Sequence, residues 1–375
     1  MAEPFKNAFN QNLIHGMATH FNKQCSEFDT KAFEADASNN LTALELKARS
    51  EQITDAMIKH LPQDFERAAA IMLSSLSPVR DGDIFGATVD SDGIAGWAIM
   101  PMAHYVGLRG LDHFECSMEL FKEMTKRFSS EFGIRFFLLA SPEKTLIELH
   151  RWITDDNRHV RRLVSEGTRT RLPWAMRLPL FIQDPTPVVA LLEGLKDDED
   201  EYVRRSVANN LNDLSKDHPE LITGVSQRWM LDANRDRQRL VRHACRSLIK
   251  KGDKKVLQLL GYGPPRITQV KFELLTPHLA FGTPLQFRLS CTSDASHDQA
   301  LMIDYVIHHQ KANGRTTAKV FKWRTITLAG KQALISSKKH MIKRITTRTY
   351  YPGRHTVEVI VNGVCVASSD FQLLM

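Results

Sequence analysis

The residues whose types and spacing could do chemistry lie between positions 152 and 177. Residues 158–177 hold six arginines and one acid, Glu166. Clustered arginine is typical of a phosphate-binding surface. Two adjacent carboxylates, Asp155 and Asp156, come just before this run, and a carboxylate placed in such a surface repels the same phosphates. Acids among these arginines therefore indicate chemistry on a nucleic acid rather than simple binding.

Asp156 is the first candidate for a catalytic carboxylate. It stands at the predicted start of a helix, beside Arg158, Arg161 and Arg162. The helix dipole and these cations both favour the ionised form of the acid. Asp155 remains an alternative, because two neighbours in one turn cannot be separated from sequence.

Other titratable side chains nearby have two interpretations each. Glu131 is either a second active-site acid or a helix-end partner of Arg135. Glu166 is interpreted as an internal salt-bridge partner, although a site role is the alternative. His159 is most simply a residue on a helix surface, and it is also a candidate DNA contact.

A weak repeat places these residues on helices. Val160, Val203 and Val241 are each followed by Arg-Arg or Arg-His, and they are 43 and 38 residues apart. Helical HEAT repeats have a period of about 40–47 residues and stack into a solenoid. The arginines of the repeat should then line one surface. Because Asp156 aligns with Glu199, an alternative is that an acid recurs at this turn as a helix cap.

The chain divides into a helical part and a strand part. Residues 1–262 are predicted to form an all-α, HEAT-like superhelix with the catalytic residues. The Gly- and Pro-rich residues 261–265 break the helical pattern. Beyond them the apolar residues alternate with period two, so residues 263–375 are predicted to form an all-β, immunoglobulin-like sandwich. Its clustered basic residues make it a candidate DNA-contacting domain. Residues 266–375 carry 15 Lys and Arg against 6 Asp and Glu, which favours a polyanionic partner.

Four stretches resemble the AlkC/AlkD-type DNA alkylation-repair glycosylases, and the AlkC type most closely. They are SSEFGIR (129–135), HVRRLVSEGTRTRLPW (159–174), DDEDEYVRRSVANNLNDLSKDHP (197–219) and RHACRSLIKKG (242–252). The C-terminal β domain also fits the AlkC branch, which carries an immunoglobulin-like extension.

The resemblance implies a monofunctional DNA glycosylase of base excision repair. Such an enzyme hydrolyses the N-glycosidic bond of cationic N-alkylated purines of the 3-methyladenine type, with no metal or other cofactor and without flipping the lesion into a deep pocket. The implied partner is double-stranded DNA containing alkylated bases. A monomer in the bacterial cytoplasm, associated with the nucleoid, is expected.

The resemblance also implies roles for single residues. The carboxylate, here Asp156, stabilises the oxocarbenium-like transition state and orients water. Trp152 and Asp156 match the W-x3-D arrangement of AlkD-type active sites, so Trp152 would pack against the sugar, with Trp174 a second candidate. Trp152 aligns with apolar Leu195 and Ala233 of the other repeats, so core packing is an equal alternative. The predicted DNA contacts are Arg135, Arg158, His159, Arg161, Arg162, Arg169, Arg171, Trp174, Arg204, Arg205, Arg242, Lys338 and Lys339.

Several functional classes are disfavoured. Five scattered cysteines form no CxxC pair, which argues against a disulfide framework or a zinc site. The sequence contains no HExxH, Walker or GxGxxG pattern and no apolar run of about 20 residues, so metal hydrolases, nucleotide-dependent enzymes and membrane spans are not expected. The remaining alternative is a non-catalytic helical-repeat scaffold that binds nucleic acid or protein. A carboxylate among the arginines argues against it, because such an acid contributes nothing to simple binding.

Overall fold

The computed structural model describes residues 4–80, 82 and 84–375. The first two thirds of that part is helical, with short 3-10 turns between α-helices. Its helices are α1 (Gln11–Gln24), α2 (Thr30–Ser38), α3 (Leu46–His60), α4 (Phe65–Ser74), α5 (Ile99–Arg109), α6 (Phe114–Thr125), α7 (Ile134–Ala140), α8 (Pro142–Trp152), α9 (Arg158–Gly167), α10 (Pro179–Gln183), α11 (Thr186–Leu195), α12 (Glu201–Leu214), α13 (Pro219–Met230), α14 (Arg235–Ala244), α15 (Arg246–Lys251) and α16 (Lys254–Leu259).

Local sequence signals explain where many of these helices begin. An Asn or Asp before the first turn accepts a hydrogen bond from a backbone amide that has no partner within the helix. Residues that cap helices in this way are Asn10, Asp29, Asp64, Asn157, Asp200 and Asp253. No helix in the part of the chain described is long and apolar enough to cross a membrane.

The chain folds as two compact units, each with its own core. The first comprises Met1–His218 and Asn234–Ala244, and the second comprises Pro219–Ala233 and Cys245–Met375. In the first unit the predicted repeat is present: α9 packs against α12, and α12 packs against α14. The helical part is a HEAT-like repeat solenoid, as predicted.

The strands of the second unit form the predicted immunoglobulin-like sandwich. The strands are β1 (Ile267–Leu274), β2 (His278–Ala280), β3 (Pro284–Ser293), β4 (Gln299–Gln310), β5 (Thr316–Leu328), β6 (Ala333–Met341), β7 (Gly353–Val361) and β8 (Val364–Leu374). One sheet has the order β1-β3-β6 and the other has the order β2-β8-β7-β4-β5, with β2 parallel to β8 and the remaining pairs antiparallel. Phe287, Tyr305 and Phe371 fill the core between the sheets.

The last two helices belong to the same compact unit as the sandwich. Gly363, in the turn between β7 and β8, has a φ of +78°, and a Cβ there would lie 2.8 Å from the carbonyl oxygen of Gly252. Leu257 and Tyr262 pack with Met302 of β4. The change from helix to strand falls between Leu259 and Ile267, close to the predicted division after residue 262. A domain boundary after residue 262 stays a prediction. The contacts group α15 and α16 with the sandwich, so the compact units divide the chain at other residues.

Buried histidines make the second unit sensitive to acid. Burial lowers the pKa of His309 to about 3 and that of His340 to about 4. Both values lie below the value of about 6.5 in an unfolded chain. A base with a depressed folded pKa stabilises the fold fully above pH 6.5, and this contribution is lost as the pH falls towards 4 and 3.

We therefore expect the free energy of unfolding of the second unit to be about 2 kcal/mol lower at pH 5 than at pH 7 from His309 alone. Urea titrations followed by amide hydrogen exchange of β4 and β7 would measure the difference. A His309→Phe variant should lose part of the pH dependence. Equal stability at the two pH values would contradict the assignment of neutral, buried imidazoles.

Candidate active site

The turn that carries Glu131 is fixed by packing between α6 and α7. Ser130 is buried, and its hydroxyl donates to the carbonyl oxygen of Phe121 at 3.1 Å. A Cβ on Gly133 would lie 2.3 Å from the carbonyl oxygen of Ala103, so only glycine allows α5 to approach this closely. The SSEFG sequence thus holds Glu131 on a turn that has little freedom to move.

The Glu131 carboxylate is held in one orientation by two donors. It accepts hydrogen bonds from the Ser129 hydroxyl at 2.7 Å and from Nη1 of Arg162 at 3.1 Å. The Arg162 guanidinium lies 4.8 Å from the centroid of the Tyr202 ring. Burial raises the pKa of Tyr202 to about 12, so its hydroxyl is neutral. Glu131 pairs with Arg162 rather than with Arg135, the partner expected as the alternative.

Glu166 is a second, more deeply buried carboxylate beside the same guanidinium. Its side chain is 7% exposed and lies 3.6 Å from Nη2 of Arg162 and 2.7 Å from Nη1 of Arg169. The Ser206 hydroxyl donates to it at 2.6 Å. Burial raises the pKa of Glu166, but Arg162 and Arg169 outweigh this effect and hold the pKa below its usual range. The interpretation of Glu166 as an internal ion-pair partner is confirmed.

Glu131, Arg162, Glu166 and Tyr202 are here termed the carboxylate cluster. Two carboxylates bridged by one guanidinium can stabilise positive charge that develops next to them, because they are fixed and partly shielded from water. Within the described ranges there is no group of His, Cys, Asp and Glu arranged to hold a metal ion.

Asp156 and Asp155 differ sharply in their surroundings. Asp156 is exposed, and within the described chain its carboxylate makes neither a hydrogen bond nor an ion pair. The helix-cap alternative for Asp156 is wrong, because the side chain of Asn157 caps α9. Asp155 forms an ion pair with Lys122 at 2.7 Å and accepts from the Asn157 amide at 2.9 Å. Asp155 is thus engaged in structure, while Asp156 is free to move.

Trp152 has the core-packing role that was the alternative interpretation. Its side chain is buried, with a relative exposure of 2%, and its indole Nε1 donates to Glu148 at 2.9 Å. A buried ring cannot present its face to a sugar, so the predicted stacking role of Trp152 is wrong. Trp174, in contrast, is 54% exposed and has a φ of +65°.

Arg135 is a structural residue and not a phosphate ligand. It is completely buried and donates to the carbonyl oxygens of Gly167 at 2.8 Å, Arg169 at 2.8 Å and Met176 at 2.9 Å. Burial lowers its pKa to about 10, so it remains a cation at neutral pH. Arg135 ties the end of α9 to the segment that carries Trp174.

In the two Val-Arg-Arg segments of the repeat, the first arginine joins successive repeats. Arg161 donates to the carbonyl oxygens of Asp155 and Asp156 and pairs with Asp198 of the next repeat at 2.7 Å. Arg204 likewise donates to the carbonyl oxygens of the turn before α12 and pairs with Asp236 of α14 at 3.2 Å. The prediction that these two arginines grip phosphates is therefore wrong.

Other predicted DNA contacts are also engaged within the protein. His159 is buried and packs edge-on against Tyr202, which contradicts its placement on the surface. Arg169 is buried between carboxylates, while Arg158 and Arg171 pair with Asp200 at 3.1 Å and Asp217 at 2.7 Å.

The arginines that come second in the Val-Arg-Arg segments, Arg162 and Arg205, have different surroundings from the arginines that precede them. Arg162 belongs to the carboxylate cluster, and Arg205 is an exposed residue on α12 whose side chain is 69% exposed. Arg242 follows Val241 on α14, and so aligns with Arg161 and Arg204; it is partly buried. In the second unit Lys339 is exposed, and Lys338 lies 5.6 Å from the centroid of the Tyr305 ring.

A groove between α12 and α14 is lined by a basic residue, Arg239, that is not among the DNA contacts predicted from the sequence. Its lining includes Arg205, Arg239 and His243. Arg235, Arg239 and His243 recur at every fourth residue and so share one helix face. The four-residue spacing of these basic residues could have identified this helix face from the sequence. It was missed because the repeat was aligned on its valines instead.

Comparisons with known proteins agree over the whole chain. A family model described as "Uncharacterised protein YhaZ, C-terminal Ig-like domain" matches residues 268–375. The Bacillus subtilis (strain 168) protein "Uncharacterized protein YhaZ" is 35% identical over 370 residues, which cover 98% of this chain and 99% of that protein. The structure of the Pseudomonas fluorescens alkylpurine DNA glycosylase AlkC, bound to DNA containing an abasic site analog, is 34% identical with a TM-score of 0.87 and covers 100% of both chains.

Proposed function

This chain belongs to the AlkC-type family of DNA alkylation-repair glycosylases, and on that premise we propose that it excises cationic N-alkylated purines of the 3-methyladenine type. The observation that carries the proposal is the agreement in fold with AlkC over the full length, at an identity well above the level at which only a fold is shared. The proposed reaction is monofunctional hydrolysis of the N-glycosidic bond in base excision repair, by a monomer that needs no cofactor.

The leaving base needs little assistance from a general acid in this reaction. An alkylated purine already carries positive charge, so the C1′–N bond breaks with its electron pair passing to the base. The deoxyribose then gains oxocarbenium character, which a fixed carboxylate stabilises. Water adds to C1′ and gives up a proton to a nearby base or to solvent, which leaves an abasic site.

Glu131 is the residue that we propose for this carboxylate. Electrostatic stabilisation is strongest when the charged group is preorganised, because no free energy is then spent on reorienting it during the reaction. Ser129 and Arg162 hold Glu131 in this way. Asp156, the first candidate from the sequence, has no such support and is proposed only as the alternative.

The proposed partner is double-stranded DNA that carries alkylated bases, as on the bacterial chromosome in the cytoplasm. In the first unit, exposed Arg205 and Arg239 of the α12–α14 groove are proposed to contact phosphates. In the second unit, residues 311–348 hold 11 Lys and Arg and no acid. Lys338 and Lys339 of β6 lie in that segment and are proposed to contact the phosphate backbone of DNA.

Salt dependence tests the proposed phosphate contacts. Binding to DNA weakens with salt in proportion to the number of phosphates neutralised. Arg205→Ala and Lys339→Ala should each reduce the slope of log K against log[salt] by about 1. Arg67→Ala removes an arginine that is paired with Glu27 outside the groove, and it should leave the slope unchanged. An unchanged slope in the first two variants would refute these contacts.

Release of free base tests the function itself. The purified chain, incubated with duplex DNA treated with a methylating agent, should release methylated purine that chromatography detects, and it should release none from untreated DNA. A scaffold would instead bind both DNAs equally and release nothing. That result would favour the non-catalytic alternative.

A further inference from the structure

One face of α12 carries a row of polar side chains that are buried in the first unit. Ser206, Asn210 and Asp213 form this row, and all three are buried. They recur three or four residues apart, which places them on the same side of the helix. Buried polar groups are costly to the fold unless each has a partner. We term these three residues the polar row of α12.

Two members of the polar row fix α12 against the neighbouring repeat helix. The Asn210 amide donates from Nδ2 to the carbonyl oxygen of Ser165 on α9 at 2.8 Å. Asp213 accepts from Nε of Arg169, just after α9, at 2.8 Å. These bonds set the position of α9 relative to α12, and they leave the third member of the row beside the carboxylate cluster.

The third member, Ser206, directs its proton at Glu166. An ionised carboxylate can only accept hydrogen bonds, so Ser206 is the donor in their contact of 2.6 Å. The oxygen of Ser206 then accepts from the Ser165 hydroxyl, which lies 2.7 Å away. The two hydroxyls therefore form a chain that ends on the carboxylate. A chain with this direction stabilises the charged form of Glu166.

Ser206 acts on the oxygen of Glu166 that faces Arg162. Oε2 of Glu166 accepts from Ser206 and lies 3.6 Å from Nη2 of Arg162, while Oε1 pairs with Arg169 at 2.7 Å. Nη1 of the same Arg162 guanidinium donates to Glu131 at 3.1 Å. Because a guanidinium is planar and rigid, a partner that fixes Nη2 also fixes the Nη1 that holds Glu131.

The charged and titratable groups near Glu166 come from α9, from the residues after it, from α12 and from the turn after α6. They are Arg162, Arg169, Tyr202, Asp213 and Glu131. Burial raises the pKa of Glu166, but the two arginines and the Ser206 hydroxyl together hold it below its usual range. Removing the hydroxyl should therefore raise the pKa of Glu166.

From these contacts we propose that Ser206 is a positioning residue for base release, which holds Glu166 beside Arg162 so that Arg162 keeps Glu131 in one orientation. Ser206 acts through these side chains and not on the sugar itself. A supporting layer of hydrogen bonds keeps a charged group preorganised, and preorganisation lowers the barrier of the reaction. This inference rests on the proposed glycosylase function.

Ser206→Ala tests the proposal with little risk to the fold. Alanine favours helix, and the Ser165 hydroxyl keeps a partner in the carbonyl oxygen of Arg162 at 3.0 Å. Single-turnover release of methylated purine should fall about tenfold at neutral pH, with DNA affinity unchanged. The acid limb of the rate–pH profile should move to higher pH, because Glu166 then takes up a proton more readily. A serine with only a structural role would lower stability without moving this limb.

Ser215→Ala is the matched control. Ser215 is also buried, at the end of the same helix, and its hydroxyl donates to the carbonyl oxygen of Asn212 at 2.8 Å. The control should leave the rate and the acid limb unchanged. A second measurement needs no turnover: carbon NMR titration of the Glu166 carboxyl should show a midpoint at higher pH in Ser206→Ala than in the unmodified chain.

The outcomes separate the role of Ser206 from the glycosylase function. Release of base by the unmodified chain, with the rate and the acid limb unchanged in Ser206→Ala, would overturn the positioning role and leave the function intact. An unchanged NMR midpoint of Glu166 would overturn that role too. An unmodified chain that releases no base would refute the function, while a higher midpoint in the variant would still support the hold of Ser206 on Glu166.

Discussion

Replacing Glu131 by glutamine is expected to lower the rate of base release by a factor of about 100 to 1000 while DNA binding is retained. Glutamine keeps the length and shape of the side chain but removes the negative charge that would face the developing oxocarbenium ion. Arg162 keeps Glu166 as a carboxylate partner, so the fold should survive. Single-turnover release from methylated duplex, measured beside DNA affinity, gives both quantities.

Asp156→Asn is the matched control for this experiment. It also removes one carboxylate charge, but from an exposed residue that nothing holds in place. We expect a change of less than tenfold in release. Full activity of Glu131→Gln together with an inactive Asp156→Asn would return the catalytic role to Asp156, the residue that the sequence put first.

Arg169→Met should destabilise the first unit by about 3–5 kcal/mol. The Arg169 guanidinium lies between two buried carboxylates, 2.7 Å from Glu166 and 2.8 Å from Asp213. Their side chains are 7% and 4% exposed. Methionine fills similar space but removes the cation that both acids share, so Glu166 keeps only Arg162 and Asp213 keeps only Lys216 as a charged partner. Buried carboxylates that lose their nearest cation are costly to the folded state. The midpoint of urea unfolding, followed by far-UV circular dichroism, measures the loss.

Arg205→Met serves as the control, because it removes an arginine that is largely exposed. Its effect on stability should stay within about 0.5 kcal/mol. The two variants should thus separate a structural arginine from a proposed DNA contact. Unchanged stability in Arg169→Met would show that the arginine contributes little to the fold and would reopen its role at phosphates.

The architecture could be predicted because its signals are local. Helical periodicity and the switch to period two each depend on neighbouring residues in the chain, and the repeat of about 40 residues recurs along the sequence itself. The roles of Arg161 and Arg204 could not be predicted, because their partners Asp198 and Asp236 come from the following repeat. Asp198 in the turn before α12 and Asp236 in the first turn of α14 were the signals that these arginines have internal partners.

The candidate site was predicted only in outline. Glu131 and Glu166 were both considered, yet their association through Arg162 depends on how α9 packs beside the turn after α6. Trp152 was misassigned because the match to a W-x3-D pattern says nothing about which way a ring faces. Glu148, four residues earlier on the same helix, is the partner of its indole and was the overlooked signal.

The most direct test of the central claim uses a duplex with one N-methylated purine at a known position. Under single-turnover conditions the unmodified chain should release that base and leave an intact strand, which breaks at this position only after treatment with alkali. Tight binding of the duplex without any release of base would contradict the claim and identify the protein as a scaffold.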